Sequence, residues 1–370
     1  MRIGVDCHNL EGNRTGVARY LINLLKHWEQ IQSHNSNYGT VKFFLYFKSD
    51  IPNDIPKSNN FQNTILKSKS NALFMHYFLP KAAKKDKLDV LFCPGYVAPV
   101  FYRGKIALTL HDIIYQARPD LYEWPSVIDK ILLKKVSKIS TKKAEIIFTC
   151  SQFSKDEIIK YYKVNPKKVF AIPLAVDEKF KNVGGLASRT KRRKFIFYVG
   201  AIIKRRFVHK VIEAFKIISE TSPKRAKRVE GYKFLVVGKN YTNSSIEGNN
   251  IIYKEYINDD DLLLLYNNAD LFIWLSEYEG FGFPPLEAMA CGTPVLSTKK
   301  TSLAEVLGEY PIWVENPNNL SEISDKMIRI LSDNNLKDKL IESGLKQAKK
   351  FSWKKTAEKT LQILTQKNNL

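Results

Sequence analysis

Two glutamates in a segment rich in glycine and proline are the strongest candidates for chemistry in this sequence. Glu279 and Glu287 are separated by seven residues in SEYEGFGFPPLEAMACGTPV, whose prolines suit the first turn of a helix. Gly280 and Gly282 let the backbone approach a ligand closely, and the N–H groups of a helix start favour an anion such as a diphosphate. Carboxylates also accept hydrogen bonds from sugar or ribose hydroxyls. Taken alone, the pattern leaves open a sugar-phosphate site or a helix capped by its own acids.

Basic and glycine-containing segments beside predicted strands supply further candidates. Arg205 and Arg206 follow a predicted strand and Gly200, and the arginine fork suits phosphate oxygens, although the pair can also belong to a basic surface. Gly16 lies in a loop before the first predicted helix, which can hold a phosphate or form a simple N-cap. His111 directly follows an apolar strand, where a ligand site is expected, although a single histidine is more often structural.

Together these segments resemble the retaining GT-B glycosyltransferases of glycosyltransferase family 4, also called group-one glycosyltransferases. The glutamate spacing, the flanking GFG and PPLEAMACGTPV, and SLAEV at 302–306 carry the resemblance, which covers nearly the whole chain in order. The resemblance implies that Glu279 contacts the transferred sugar near the reacting centre and that Glu287 holds the ribose hydroxyls. It also implies that His111 lines the acceptor pocket. One departure is Phe207, which stands where the family usually has asparagine.

The same resemblance assigns the donor-binding positions. Arg205 and Arg206 would bind the diphosphate, and the loop that contains Ile257 would read the nucleotide base through its backbone. The predicted donor-binding residues are Arg205, Arg206, Glu287, Gly16, Phe281, Gly282, Phe283, Gly200 and Ile257. No metal and no cofactor are predicted, because two arginines and helix N-termini can neutralise a departing diphosphate. The DxD-like cluster at 259–261 instead indicates a helix start.

The elements that must position these residues alternate along the chain. Short β-branched and aromatic runs, each followed by a helical pattern, predict an α/β protein with two Rossmann-like, doubly wound domains. Ligands bind beyond the carboxyl ends of the strands in such sheets, so we expect both domains to face a central cleft. The predicted strands are Arg2–Cys7, Val41–Phe47, Val90–Cys93, Ile106–Leu110, Glu145–Cys150, Val169–Ile172, Phe195–Val199, Phe234–Val237, Ile251–Tyr256, Leu271–Leu275, Pro294–Ser297 and Ile312–Val314.

The length of 370 residues and one break in the pattern predict two domains of similar size. The stretch 177–194 contains two glycines and RTKRRK and lacks apolar periodicity, so it predicts the linker. We expect an N-terminal acceptor domain over 1–178 and a nucleotide-sugar donor domain over 179–352. The segment 353–370 predicts one more amphipathic helix, which we expect to pack back on the first domain.

Composition restricts the compartment and the partners. Four widely separated cysteines in or beside apolar runs indicate buried thiols, neither a disulfide framework nor a CxxC metal site. No run approaches the roughly 20 apolar residues of a membrane span, and the first residues predict a strand and no signal peptide, so the expected location is the cytoplasm. The net charge of +22 attracts polyanions such as nucleotide diphosphates, anionic lipids or nucleic acid.

One predicted helix, over 126–143, carries lysines at four-residue spacing. Such a stripe fits a solvated face or an anionic membrane surface, and family members that elongate lipid-linked glycans are often peripheral to the inner leaflet. We therefore expect a location in the cytoplasm, peripheral to the inner face of the cytoplasmic membrane. The residues involved are Lys130, Lys134, Lys138 and Lys142, with Trp124, Tyr122 and Tyr115 near the interface.

The reaction implied by the resemblance is a retaining, metal-independent hexosyl transfer. We expect a nucleotide-sugar donor, with GDP-mannose favoured among mannose- and rhamnose-type donors, and a glycan acceptor on a lipid carrier, in surface polysaccharide assembly. Alternatives are a nucleic-acid-binding protein and a catalytically inactive glycosyltransferase-like partner subunit. Because no RNP, helix-turn-helix or zinc pattern occurs and the basic residues are spread throughout, no nucleic-acid partner is expected. Epimerases and phosphorylases of the same fold are weaker matches to the glutamate block.

Overall fold

Two α/β units, each with a parallel sheet at its centre, make up the chain. A computed structural model describes residues 1–12, 16–34, 41–124, 126–184, 194–221 and 229–366. The first unit comprises Met1–Leu174 and Ser352–Leu370, and the second comprises Ala175–Phe351. The division falls slightly before the expected boundary at 178, and 185–193, the centre of the expected linker, lies outside the described residues.

A parallel sheet forms the centre of the first unit. Its strands, within the described ranges, are β1 Arg2–Asp6, β2 Lys42–Phe47, β3 Phe61–Ile65, β4 Val90–Cys93, β5 Ile106–Thr109, β6 Ile146–Thr149 and β7 Val169–Ala171. Their order is β3-β2-β1-β4-β5-β6-β7. Successive strands are added on one side of β1 as far as β3 and on its other side from β4 onward, so the strand order reverses between β1 and β4. The inner strands β4, β5 and β6 are buried along their whole length, which explains why their sequences are apolar runs without alternation.

A second parallel sheet repeats this design in the second unit. Its strands are β8 Phe195–Val199, β9 Lys233–Val237, β10 Ile251–Lys254, β11 Leu271–Trp274, β12 Val295–Thr298 and β13 Ile312–Val314. The order β10-β9-β8-β11-β12-β13 reverses between β8 and β11. The prediction of two Rossmann-like, doubly wound domains is therefore confirmed.

Helices connect the strands, and many begin at a polar side chain that accepts a hydrogen bond from the first turn. Ser126, Ser151 and Asn258 are such N-caps. In the parts of the chain that the structure describes, no helix is long and apolar enough to cross a membrane. The helices are α1 Gly16–His34, α2 Asn71–Leu73, α3 Leu79–Lys85, α4 Ile114–Ala117, α5 Val127–Lys143, α6 Gln152–Tyr162, α7 Val208–Lys216, α8 Asp259–Asn268, α9 Phe283–Ala290, α10 Ser302–Leu307, α11 Leu320–Ser332, α12 Asn334–Ala348 and α13 Trp353–Thr365.

The last helix, α13, packs within the first unit, against α1. The indole Nε1 of Trp28 donates to the carbonyl of Ala357 at 3.0 Å, and the Thr356 hydroxyl donates to the carbonyl of Pro173 at 2.7 Å. Leu361 and Leu364 are fully buried. The chain thus leaves the first unit, builds the second, and returns; residues 367–370 of the expected terminal segment lie outside the described ranges.

Two details differ from the sequence-based expectations. The strand β3 was not predicted, because FQNTI lies at the sheet edge, has no fully buried residue and contains no apolar run. Tyr115 was expected near a membrane interface, but it is 2% exposed and its hydroxyl lies 2.7 Å from the hydroxyl of Ser137. Its ring belongs to the core because the buried hydroxyl has a polar partner there.

Candidate functional site

The candidate site in the second unit lies where β8 and β11 are neighbours. Residues Gly200–Arg206 follow β8 and Ser276–Gly282 follow β11, so both loops leave the sheet at its carboxyl edge. Because the sheet order reverses between these two strands, their loops diverge and leave a crevice. The topology therefore brings together two segments about seventy residues apart in sequence that both carry predicted site residues.

Arg206 and Glu279 form an ion pair in this crevice. Arg206 Nε donates to Glu279 Oε1 at 3.1 Å, and the two side chains are 15% and 12% exposed. The guanidinium lies over the Trp274 ring, 4.4 Å from its centroid, and its NH1 donates to the carbonyl of Ala201 at 3.2 Å. Burial opposes the charge on Arg206, but the Glu279 carboxylate and the Tyr198 hydroxyl together outweigh it and raise the pKa of the guanidinium.

Hydroxyl side chains position Glu279. Ser276 Oγ donates to Glu279 Oε1 at 3.0 Å, and the Glu279 backbone N–H donates to Thr301 Oγ1 at 3.1 Å. Ser302 Oγ donates to the Glu279 carbonyl at 2.7 Å. Thr301 has φ +53°, which is unfavourable for a β-branched residue, so the chain holds a strained backbone where it positions this carboxylate. These three hydroxyl residues were not predicted as site residues, although Ser276 lies in the loop after β11 and Thr301 and Ser302 in the segment after β12.

Arg205 lies beside this pair with part of its side chain unsatisfied. Its carbonyl accepts from the backbone N–H of Glu277 at 2.9 Å, which ties the two loops together. Arg205 Nε is buried and has no hydrogen-bond partner among the described residues. A buried N–H without a partner is costly unless a ligand or water completes it, and an anion would do so. The acidic neighbour Glu277 is instead paired with Lys300, whose Nζ lies 2.5 Å from Glu277 Oε2.

The residue after these arginines departs from the family pattern, and its backbone conformation explains the pattern. Phe207 directly precedes α7 as its N-cap residue, with φ +49° and ψ +24°, in the left-handed region. Asparagine adopts this region far more readily than most residues. The structure therefore accounts for an asparagine preference at this position by backbone geometry, and Phe207 maintains the same geometry.

Glycines at the ends of β8 and β9 let the two backbones touch. Gly200 has φ +143° and Gly238 has φ +137°, and only glycine adopts such values at low energetic cost. A Cβ on Gly238 would lie 2.0 Å from the Gly200 carbonyl oxygen, and one on Gly200 would lie 3.1 Å from Arg206 NH1. Gly200, predicted to bind the donor, thus lies directly against the Arg206 guanidinium.

The segment from Phe281 to Glu287 forms the start of α9 beside this crevice. Gly282 precedes the helix with φ +93°, and Pro284 and Pro285 occupy its first turn, as predicted. Phe281 is buried, and its ring lies 5.2 Å from that of Phe283.

Glu287 lies one turn into α9 and is only 2% exposed. The Tyr266 hydroxyl donates to Glu287 Oε2 at 2.9 Å. Ile257, the remaining donor candidate of this unit, lies half-buried in the loop after β10. The predicted roles of these residues toward a sugar, a ribose or a base stay predictions.

In the first unit, His111 is held in an apolar environment. Its ring packs edge-to-face on Tyr20 at 4.9 Å, and its Nε2 is buried without a hydrogen-bond partner in the described part of the chain. Burial lowers the pKa of His111 to about 4, although a hydrogen bond with the Pro94 backbone opposes this shift. The imidazole is therefore neutral at pH 7. Gly16 is exposed at the start of α1, and residues 13–15 of its loop lie outside the described residues.

The first unit contains a polar pair that was not predicted from the sequence. His8 Nδ1 lies 2.6 Å from Asp6 Oδ1 at the carboxyl end of β1, and Asp6 is 1% exposed. Burial opposes the charge on His8, but the carboxylates of Asp6 and, to a smaller extent, Glu11 outweigh it and raise the pKa of His8. The signal that could have found the pair is Asp-x-His directly after the first strand.

The described residues contain no group of three or more His, Cys, Asp or Glu side chains arranged to hold a metal ion. Asp259, Asp260 and Asp261 occupy the first turn of α8, where their charges favour the helix dipole. Asn258 caps this helix and Lys179 pairs with Asp259. Metal independence itself stays a prediction.

Comparison with known families matches most of the chain. Residues 14–180 match the family described as "Glycosyltransferase Family 4", and residues 187–347 match "Glycosyl transferases group 1". The chain is 29% identical to the serotype-specific mannosyltransferase WbdA of Escherichia coli over 70% of its length, but this match spans only about a third (33%) of WbdA. It is also 29% identical to the O-antigen chain mannosyltransferase B of Escherichia coli, over 94% of this chain and 95% of that protein.

The fold also matches solved structures. The crystal structure of Anabaena HepE in complex with UDP and glucose superposes with a TM-score of 0.71 and 15% identity, covering 99% of both chains. At this identity the likeness concerns the fold, which is of the GT-B type.

Proposed function

Because the chain belongs to the group-one glycosyltransferases of glycosyltransferase family 4, we propose that it transfers a hexose from a nucleotide-sugar donor to a glycan acceptor. The observation that carries the proposal is the ion pair of Arg206 and Glu279 beyond the carboxyl ends of β8 and β11, directly after Arg205, whose buried Nε has no hydrogen-bond partner among the described residues. Cations and a carboxylate together suit a ligand that has a diphosphate at one end and sugar hydroxyls at the other.

In the proposed reaction, the bond between the anomeric carbon and the diphosphate oxygen breaks and the acceptor oxygen forms a bond to the same carbon. The acceptor proton passes to the departing phosphate. Arg205 and Arg206 stabilise the negative charge that develops on this leaving group, together with the N–H groups at the start of α9. We propose that this arrangement works without a metal ion.

Glu279 serves in this proposal as a positioning and charge-stabilising group at the transferred sugar. Its Oε1 already accepts hydrogen bonds from Arg206 and Ser276, which hold the carboxylate in one orientation. Transfer would retain the anomeric configuration, with the acceptor approaching from the face that the phosphate leaves. Glu287 would hold the ribose, and His111 in the first unit would contact the acceptor as a neutral imidazole.

We propose a GDP-mannose donor and a lipid-linked glycan acceptor in surface polysaccharide assembly. Two similar proteins are named mannosyltransferases, one of them for an O-antigen chain, which favours mannose. HepE, which shares the fold, binds UDP and glucose, so UDP-sugars are the main competing donors. The net charge of +22 favours work near the anionic inner leaflet of the cytoplasmic membrane.

The experiment that tests the proposal measures thermal stability with GDP-, UDP-, dTDP- and ADP-sugars, each with and without EDTA. A nucleotide far above its dissociation constant should stabilise the native protein by about 2–3 kcal/mol. We expect GDP-mannose to raise the melting temperature of the wild type and not that of Arg205→Ala. Lys204→Ala is the matched control, because Lys204 is exposed in the same turn as Arg205.

Transfer is then followed with the nucleotide sugar that binds, and the anomeric configuration of the product is read by NMR. Loss of binding in EDTA would contradict metal independence, and an inverted product would contradict retention. Stabilisation by oligonucleotides but by no nucleotide sugar would favour the nucleic-acid alternative. Donor binding without transfer to any acceptor would favour the inactive partner subunit.

A further inference from the structure

The helix α5 of the first unit has an inverted pattern of burial. Its buried residues are Ser137, Ser140 and Thr141, whereas five of its large apolar side chains are exposed. The polar residues are buried because each has a partner: Ser140 Oγ donates to the Ala98 carbonyl at 3.2 Å, and Thr141 Oγ1 donates to the Ser137 carbonyl at 2.6 Å. The exposed fractions are 72% for Val127, 69% for Ile128, 47% for Ile131, 54% for Leu132 and 46% for Ile139.

The exposed residues form one continuous face. Residues 128, 132, 135, 139 and 142 recur at alternating steps of four and three, which places them on one side of a helix about 26 Å long. The face is apolar in its first half, with Ile128 and Leu132, and mixed in its second half, with Lys135, Ile139 and Lys142. An apolar strip of this kind on a surface helix ordinarily packs against something.

The charge of α5 identifies the chemistry of the partner. The helix contains six lysines and one acid, Asp129, which accepts from the Ser126 hydroxyl at its N-terminus. Lys130 and Lys134 lie over the Trp124 ring, with Nζ 5.7 and 5.9 Å from its centroid. Lysine stems can lie along an apolar layer while their ammonium groups reach anionic headgroups.

Aromatic residues extend the surface beyond the C-terminal end of α5. Lys143 Nζ donates to the Val100 carbonyl at 2.5 Å, which places the next residue, Phe101, beside that end of the helix; its side chain is 81% exposed. Tyr77 is 56% exposed, and Lys81 Nζ lies 5.9 Å from its ring centroid. It lies near Phe101 because the preceding residue, His76, accepts a hydrogen bond at Nδ1 from the Val100 N–H. Exposed aromatic rings beside lysines suit the boundary between headgroups and acyl chains.

From this combination we propose that the exposed face of α5, with Phe101 and Tyr77, is the surface by which the protein docks on an anionic lipid bilayer. The proposal rests on the proposed function in one respect: a protein that is docked on the membrane can reach an acceptor glycan carried by a lipid. Shallow insertion of the Ile and Leu side chains and attraction of the lysines to headgroups act together.

The test is cosedimentation with vesicles of equal parts phosphatidylglycerol and phosphatidylcholine, compared with vesicles of phosphatidylcholine alone. We expect the wild type to bind the anionic vesicles preferentially and to dissociate as salt is raised. The triple variant Ile128→Gln, Leu132→Gln, Ile139→Gln should partition about tenfold more weakly or worse. The matched control is Ile252→Gln with Leu264→Gln, because these residues are 39% and 54% exposed in the second unit.

Since the substituted side chains are exposed, all variants should melt at the wild-type temperature and transfer sugar to a soluble acceptor at the wild-type rate. Equal vesicle binding by the triple variant and the wild type would overturn the proposal, as would equal binding of the wild type to both vesicle types. Self-association that the triple variant abolishes without vesicles would assign the face to a second copy of the chain. Vesicle binding by a protein without transferase activity would contradict the proposed function and leave this surface supported.

Discussion

At the scale of single residues, the candidate site depends on charged groups that the fold removes from bulk water. Arg206 is held on three sides, by the Trp274 ring, the Ala201 carbonyl and Glu279. Arginine suits this position because its planar group can stack and donate in several directions at once, which a lysine ammonium cannot do. The ion pair therefore orients two groups that the proposed reaction uses, rather than simply adding stability.

His111 shows the opposite behaviour, since its environment disfavours charge. Its ordinary pKa is 6.5 and burial lowers the folded value to about 4, so the unfolded chain binds a proton that the folded chain does not. Between these two values, stability must fall as the pH falls. From pH 7 to pH 5 we expect His111 to lower the free energy of unfolding by about 2 kcal/mol.

The measurement is urea unfolding at several pH values for the wild type and His111→Gln. The variant should differ from the wild type by a constant packing cost above pH 7 and should lose less stability toward pH 5. Parallel pH profiles for the two proteins would contradict a neutral, buried imidazole.

At the scale of elements, the close approach of β8 and β9 at their carboxyl ends determines where the arginine loop begins. The Gly200 carbonyl occupies the volume that any side chain on Gly238 would need. The loop that carries Arg205 and Arg206 starts directly at Gly200, so this packing defines the position of both cations.

We expect Gly238→Ala to destabilise the second unit by about 2–4 kcal/mol, because the backbone must shift and the residue has φ +137°. Gly231→Ala is the matched control, since Gly231 also has a positive φ of +79° but its Cβ would meet only Lys194 at 3.8 Å. It should cost about 1 kcal/mol. Denaturant unfolding compares the two, and equal costs would show that φ alone matters at position 238.

At the scale of the whole molecule, the chain crosses between its two units twice, and the return is made by α13. This helix packs against α1 and has buried side chains, including Leu361 and Leu364. Its Ala357 carbonyl accepts a hydrogen bond from the indole N–H of Trp28 in α1. A segment at the end of the chain therefore stabilises the unit that the start of the chain builds.

Leu361→Ala should destabilise the first unit by about 2–5 kcal/mol, because it leaves a cavity beside α1. Hydrogen exchange of backbone amides is the suitable measurement, since a two-unit protein need not unfold in one step. We expect faster exchange in α1 and the first sheet, with the second sheet unchanged. Lys359→Ala, an exposed substitution on the same helix, is the control, and faster exchange confined to the second unit would contradict the assignment of α13.

Local patterns in the sequence were sufficient to predict every described strand except β3. Buried parallel strands such as VLFC and IIFT are apolar runs, and the glycines, prolines and charged residues that follow the strands mark the loops at the carboxyl edge. The same patterns predicted Glu279 and Arg206 as site residues, because the necessary chemical types are visible in the sequence. The edge strand β3 was not predicted from the sequence because an exposed strand needs no apolar run.

Only the tertiary structure decided which of these residues meet. Arg206 and Glu279 are 73 residues apart, and their contact follows from the placement of β11 beside β8, which no local periodicity encodes. The same holds for α5: its serine and threonine side became the buried one because hydroxyl partners were available in the core, which left its isoleucines outside. Sequence determines local propensity and chemistry, whereas strand order and packing partners depend on contacts between distant segments, and those exist only in the folded chain.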